Sequence, residues 1–187
     1  MRSLILAGGR STRMGTDKCL IEIDGVACIQ RVAMALAEAG LEPIRISVSS
    51  PEHMEKYGSV IDPSLQVEWV VDSVPNAGPI EAILEALTDP FCNDPLQIAP
   101  VDVPWLEMGT LLDLESRIGD NDVAIPISSG VLHPLLSLLR PKVADSIGSD
   151  RRPLKEQLSE IGHVIVEVDE RSVKNCLLYT SDAADED

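Results

Sequence analysis

Ser3-Leu4-Ile5-Leu6-Ala7-Gly8-Gly9-Arg10-Ser11-Thr12-Arg13-Met14-Gly15-Thr16-Asp17-Lys18, followed by the apolar Cys19-Leu20-Ile21, decides the fold. A continuous apolar run that stops at two glycines predicts a buried strand, ending in a loop whose backbone comes close to a ligand. Gly8, Gly9 and Gly15 leave main-chain N–H groups uncovered by side chains, and successive exposed N–H groups form concave sites for anions. Arg10, Arg13 and Lys18 add three cations to a chain whose formal net charge is -16. A polyphosphate is the natural counter-charge.

Two common phosphate loops are excluded by spacing. The Walker pattern needs Gly-Lys-Ser/Thr opening a helix, whereas Lys18 lies between Asp17 and Cys19; the dinucleotide pattern G-x-G-x-x-G is absent. The loop is of a third kind.

Outward from it, strand and helix patterns alternate. Leu20–Ile23 reads as a short extended piece closed by Asp24-Gly25, and Ile29, Val32, Ala33, Leu36 and Ala37 recur at helical spacing up to Gly40. Strands are expected over 44–48, 67–71, 96–99, 123–127 and 164–168. Helices are expected over 52–57, from Pro79 to Leu87, and over 108–118, 142–147 and 154–161, with Leu111, Leu112 and Leu114 toward the core. The stretch Val131–Leu136 is expected to cross beside the strand that precedes it. This order predicts a three-layer α/β/α, Rossmann-like fold with a mostly parallel central sheet, whose ligands sit beyond the carboxyl ends of the strands. Gly8, Ser49, Asp72 and Asp102 all fall at that edge.

Composition sets the outer limits. A chain of 187 residues is long enough for one domain with a proper core, and 44% hydrophobic content with only 3% aromatics calls for Leu, Ile, Val and Ala packing. The acidic balance argues against nucleic acid and anionic membrane surfaces as partners. Cys19, Cys28, Cys92 and Cys176 lack C-x-x-C spacing and paired histidines, so they read as small buried hydrophobes in a reducing, cytoplasmic setting. Neither a membrane-length apolar run nor a signal peptide is visible. Residues 176–187, with four acids and no base, resemble the conceptual translation of a sequencing-library adapter. They are set apart from a single domain over 1–175 that is expected to be truncated at its C-terminus.

The opening stretch closely resembles the L-A-G-G-x-S-x-R-M-G-x-D-K signature of the molybdenum cofactor guanylyltransferases, members of the nucleotidyltransferase superfamily. The resemblance covers residues 1–175 and is most specific at the start. It implies that the main chain of Leu6, Ala7, Gly8 and Gly9 cradles a nucleotide. Arg13 and Lys18 would neutralise its phosphates, with Lys18 aimed at the transferred phosphoryl group. Pro100-Val101-Asp102-Val103-Pro104 is similar to the family's P-x-D-x-P element, which makes Asp102 the expected Mg²⁺ ligand and, with Lys18 and Arg13, part of the catalytic set.

Further blocks match more loosely. Asp72 with Gly78-Pro79-Ile80-Glu81-Ala82-Ile83 is similar to a D…G-P-L-x-G-I block whose acid contacts the nucleotide, although its second glycine is Ala82 or Glu81 here. Ser49 stands where the family commonly has a base-reading asparagine and offers a hydroxyl instead of an amide. His133-Pro134-Leu135 matches a recurrent H-P-L segment, either a core histidine or a substrate contact. Arg151 and Arg152 resemble an acceptor-side loop or are surface arginines. The closing N-x-N-T-P block would begin near Asn175, where the adapter-like tail starts, so an acceptor-side or metal-side asparagine is expected to be missing.

By resemblance the activity is Mg²⁺-dependent transfer of GMP from GTP to molybdenum-bound molybdopterin, giving the dinucleotide cofactor and pyrophosphate. Molybdoenzymes or cofactor-delivery proteins are the implied partners. Two alternatives stand beside it: a related nucleotidyltransferase using CTP or a sugar or alcohol phosphate, and a non-catalytic nucleotide-binding protein.

Overall fold

The structure is a computed structural model that describes residues 2–8, 17–74, 78–148 and 152–176. β1 (Ser3–Leu6) is an interior strand of the sheet, with Leu4 and Ile5 both at 0% exposure and turned into opposite layers. Its uninterrupted apolar sequence follows from this, because a parallel central strand is covered on both faces.

The segment after the loop is more structured than a single extended piece. Lys18–Leu20 forms a 3-10 turn, and β2 (Glu22–Ile23) and β3 (Val26–Ala27) pair as a small hairpin around Asp24-Gly25. The chain continues through α1 (Cys28–Glu38), β4 (Ile44–Val48), α2 (Pro51–Gly58), β5 (Val67–Val71), α3 (Pro79–Leu87) and β6 (Leu96–Pro100). It closes with α4 (Met108–Arg117), β7 (Val123–Ser128), β8 (Val131–Leu132), β9 (Leu138–Leu139), α5 (Leu154–Ser159) and β10 (His163–Glu167).

The sheet runs β10-β7-β9-β6-β1-β4-β5, with β8 also on β7. Among the described residues only β8 and β9 pair antiparallel in it; the remaining pairings are parallel. On one face Ile5, Ile44, Ile46, Ala99 and Ala124 pack with residues of α1, α2 and α4; on the other Leu4, Leu96, Ile98, Val123 and Ile125 pack with α3 and α5. Burying one such Leu or Ile side chain is worth about 2 kcal/mol. The expected three-layer α/β/α architecture is therefore the observed one. Among the described residues no helix is long and apolar enough to cross a membrane.

Three local expectations are corrected. Val131–Leu136 does not form one crossing segment. Ser129 and Gly130, with φ of 49° and 77°, turn the chain back so that β8 pairs with the end of β7. Pro134, which lacks an N–H for the ladder, then opens a 3-10 turn over Pro134–Leu136, and β9 returns between β6 and β7. The expected helix over 142–147 is a 3-10 stretch, Pro141–Asp145. In α4, Leu111 and Leu114 are in the core but Leu112 is 42% exposed, because it falls on the opposite side of the helix.

Candidate active site

Parallel pairing aligns the strand ends that matter. Leu6 is in register with Ser47 on one side and Pro100 on the other, and Val48 is in register with Val71. The residues just past these ends, Ala7, Gly8, Ser49, Asp72 and Asp102, share the carboxyl edge of the sheet.

At the centre stands Asp102. Lys18 Nζ donates to its Oδ2 at 3.2 Å, and Asn175 Nδ2 donates to the same oxygen at 2.9 Å. The Cys176 N–H also donates to the Asp102 carbonyl at 3.0 Å, and Cys176 is fully buried in a cluster with Ile23 and Cys28. The ion pair is partly sheltered, with side-chain exposures of 28% for Lys18 and 23% for Asp102. Two residues 84 positions apart in sequence are thus joined at one edge. Asn175, at which the expected N-x-N-T-P block would begin, is thus part of this edge; the later positions of that block, from 177 on, lie outside the described residues.

A second acid lies beside the glycine loop. Ala7 N–H donates to the Ser47 carbonyl at 2.9 Å, and Asp72 N–H donates to that of Val48 at 2.8 Å. The Ser47 hydroxyl donates to Asp72 Oδ1, while Asp72 Oδ2 lies where a Cβ on Gly8 would be. Only glycine fits there without displacing the carboxylate. Burial pushes the Asp72 carboxyl above its ordinary range and the nearby Glu85 adds to this, against the lowering effect of the Ser47 hydrogen bond.

Ser49 follows β4 and shares a 2.9 Å hydrogen bond with His53 Nδ1 at the start of α2. Leu6 is the last residue of β1. Gly9, Arg13 and Arg151 lie outside the described residues. Arg152 pairs with Glu160, just after α5, at 2.7 Å on the surface.

Next to Asn175 opens a cleft of about 750 Å³. Ser128, Ser129, Val131 and His133, on and just after the β7–β8 hairpin, line it together with Trp105, Glu170, Arg171, Lys174 and Asn175. Lys174 Nζ is 6.0 Å from the centre of the Trp105 ring, within cation–π range. Burial holds the His133 imidazole below its ordinary pKa, so it is neutral at pH 7. Trp105, Arg171 and Lys174 escaped the sequence reading because they are scattered single residues; the only sequence signal was their closeness to the P-x-D-x-P element and to Asn175.

Among the described residues no group of three or more His, Cys, Asp and Glu side chains could hold a metal ion by itself. A single partly exposed carboxylate at a strand end still fits Mg²⁺, which is commonly bound by one or two carboxylates, substrate phosphates and waters. All four cysteines are free thiols and buried, as expected.

A central parallel sheet with a glycine-bordered edge, a lysine on an aspartate and an adjoining cleft matches known proteins along most of its length. Residues 3–164 match the family model described as MobA-like NTP transferase domain. A protein of Natronomonas pharaonis named "Probable molybdenum cofactor guanylyltransferase" is 27% identical over 175 residues, 89% of this chain and 83% of its own. The molybdenum cofactor guanylyltransferase of Rhizobium rhizogenes is 26% identical over 184 residues, covering 92% and 80% of the two chains. In fold, the chain is similar to molybdopterin-guanine dinucleotide biosynthesis protein A from Archaeoglobus fulgidus, with a TM-score of 0.72 and 21% identity over 100% of both chains. Fold and relatives together define the protein as a nucleotidyltransferase. Within that class, the chain belongs to the MobA-like NTP transferase family.

Proposed function

We propose that this enzyme transfers GMP from GTP to a molybdopterin-type cofactor, releasing pyrophosphate. The observation that carries this is the convergence of Lys18 and Asn175 on one oxygen of Asp102, between the glycine-bordered edge and the cleft. Joining two phosphates requires their charges to be neutralised and their atoms aligned, and positioning with electrostatics supplies most of such catalysis.

The residues divide the work. The main chain of Leu6 to Gly9 lines the site of the triphosphate, Asp72 and Ser49 face the nucleoside, and Arg13 belongs with Lys18 as a phosphate-neutralising cation. Until substrate arrives, Asp102 holds the Lys18 ammonium. A Mg²⁺ ion on Asp102 would offset charge building on the phosphates. Lys18 then turns toward the transferred phosphoryl group, while Asn175 keeps the carboxylate oriented. Arg171 and Lys174, against the single lining acid Glu170, leave the cleft the net positive charge that a second phosphorylated substrate needs, and the flat Trp105 face suits a ring system. Residues 1–175 act as one domain in this scheme. The setting is cytoplasmic, where the product would pass to molybdoenzymes or delivery proteins.

Incubation with each of the four NTPs, Mg²⁺ and molybdopterin, with pyrophosphate and dinucleotide measured, tests the proposal. Product with GTP is expected; product with CTP alone would remove the guanine assignment. A second reading, a CTP-dependent or sugar-phosphate transferase, draws on one observation: Ser49 with His53 presents a hydroxyl and an imidazole where an amide was expected.

A further inference from the structure

The carboxylate next to Lys18 is held more firmly than a surface turn requires. Asp17 precedes the 3-10 turn Lys18–Leu20, and its Oδ1 accepts from the Cys19 N–H at 3.2 Å. The Tyr57 hydroxyl donates to both carboxylate oxygens at 3.1 Å, and Lys56 Nζ reaches Oδ2 at 2.9 Å. Tyr57 is only 3% exposed and belongs to the core, so its hydroxyl is a fixed point rather than a surface contact. Its ring stacks on His53 with planes 3° apart, and His53 in turn bonds Ser49. Burial opposes ionisation of Asp17, but the Lys56, Tyr57 and Cys19 hydrogen bonds outweigh it and hold the carboxyl below its ordinary value.

A lysine has four rotatable side-chain bonds, and its charge is useful only where the backbone below it is fixed. Lys18 begins a turn of three residues, too short to hold itself. We infer that Tyr57, acting through Asp17, is a positioning residue that fixes the start of this turn and so aims Lys18 at Asp102. The strut extends through His53 to Ser49, so the end of β4 and the Lys18 turn are braced by one face of α2. Tyr57 is not among the residues lining the cleft, and it meets the Lys18 turn at two points, the Asp17 carboxylate and the Cys19 side chain. This assignment rests on the proposed role of Lys18, and its test contains one arm that needs no turnover.

The test compares the wild type with Tyr57→Phe, which keeps the ring and its stacking, and with Asp17→Asn. In the first arm the Lys18 amine is labelled with an acylating reagent and followed by peptide mass mapping, with Asp102→Asn as the fully released reference. Labelling of Lys18 is expected to speed up several-fold in both variants while thermal unfolding stays within a few degrees of wild type. In the second arm kcat is expected to fall about tenfold with the KM for GTP within twofold, the signature of misplacement rather than lost binding. Unchanged Lys18 labelling in Tyr57→Phe would overturn the inference whatever the enzyme transfers. Faster labelling without any guanylyl transfer in the wild type would leave the strut standing and sink the proposed function instead. A loss of kcat matched by rising KM and early unfolding would make Tyr57 a merely structural residue.

Discussion

Four parallel strands, β5-β4-β1-β6, make one side of the sheet, and the other side is β7 and β10 with the antiparallel β8 and β9 set against β7. On the first side the strand ends lie level, and the residues that follow them are brought to one edge by register alone. On the second side the cleft is lined by the β7–β8 hairpin, Trp105 and the segment from Glu170 to Asn175, whose side chains parallel register does not align. On the proposed function, the difference means that the triphosphate is met mainly by backbone and the second substrate mainly by side chains. A backbone site tolerates no change of shape, whereas a side-chain cleft can be re-cut.

The sharpest way to break the comparison is Lys18→Ala. Turnover should fall about 10³-fold with the KM for GTP nearly unchanged, measured by pyrophosphate release, since charge in the transition state loses its partner. Wild-type turnover would move the chemistry away from this side. Asp102→Ala should lower turnover about 10²-fold and leave residual activity indifferent to added Mg²⁺. A Mg²⁺ titration curve like that of the wild type would remove Asp102 as the ligand.

Lys174→Ala probes the other side. The KM for the molybdopterin acceptor should rise about tenfold while the KM for GTP stays put, because one phosphate-pairing cation is lost from the cleft. Equal rises in both would erase the division between the two sides. The smallest effect is expected at Asp72. Its folded carboxyl lies above the ordinary value, so the folded state binds the proton more tightly than the unfolded state. Stability from this group is therefore lost as pH rises from the unfolded pKa through the folded one. Asp72→Asn should raise Tm slightly at neutral pH and flatten its fall across that window, while weakening nucleotide binding a few-fold in calorimetry.

What was legible in the sequence follows the same division. Leu4-Ile5-Leu6 and Ile44–Val48 carry strand patterns long enough to read, and the glycines after β1 announce the edge. β9 has only two residues, too few to show a period, and it exists because Pro134 interrupts one strand and Ser137 can begin another. Arg45 looks like the solvent side of an alternating strand, yet it is 7% exposed, because Glu68 of β5 and Asp89 after α3 close over its guanidinium. Lys18 and Asp102 were named from their local motifs, and their contact was a consequence of β1 lying beside β6. Asn175 was legible only as the place where a family block would begin, and nothing in its local sequence shows that its amide reaches Asp102. Tyr57 reads as an ordinary core aromatic, since a hydroxyl that braces a distant turn leaves no periodic trace.

The two-residue β9 also sets a width. Because it intervenes between β6 and β7, those strands stand two spacings apart, about 10 Å, and β9 fills only the amino half of the gap, opposite Leu96-Gln97 and Val123-Ala124. The remainder is floored by the Pro134–Leu136 turn, which the buried Gln97 amide ties down through the Leu136 carbonyl at 2.8 Å. A peg of two leucines thus works as a gauge block. On the proposed function it keeps donor and acceptor in adjacent lanes, so that a relative handling a bulkier acceptor would need to recut the hairpin side of the cleft and could leave the nucleotide lane untouched.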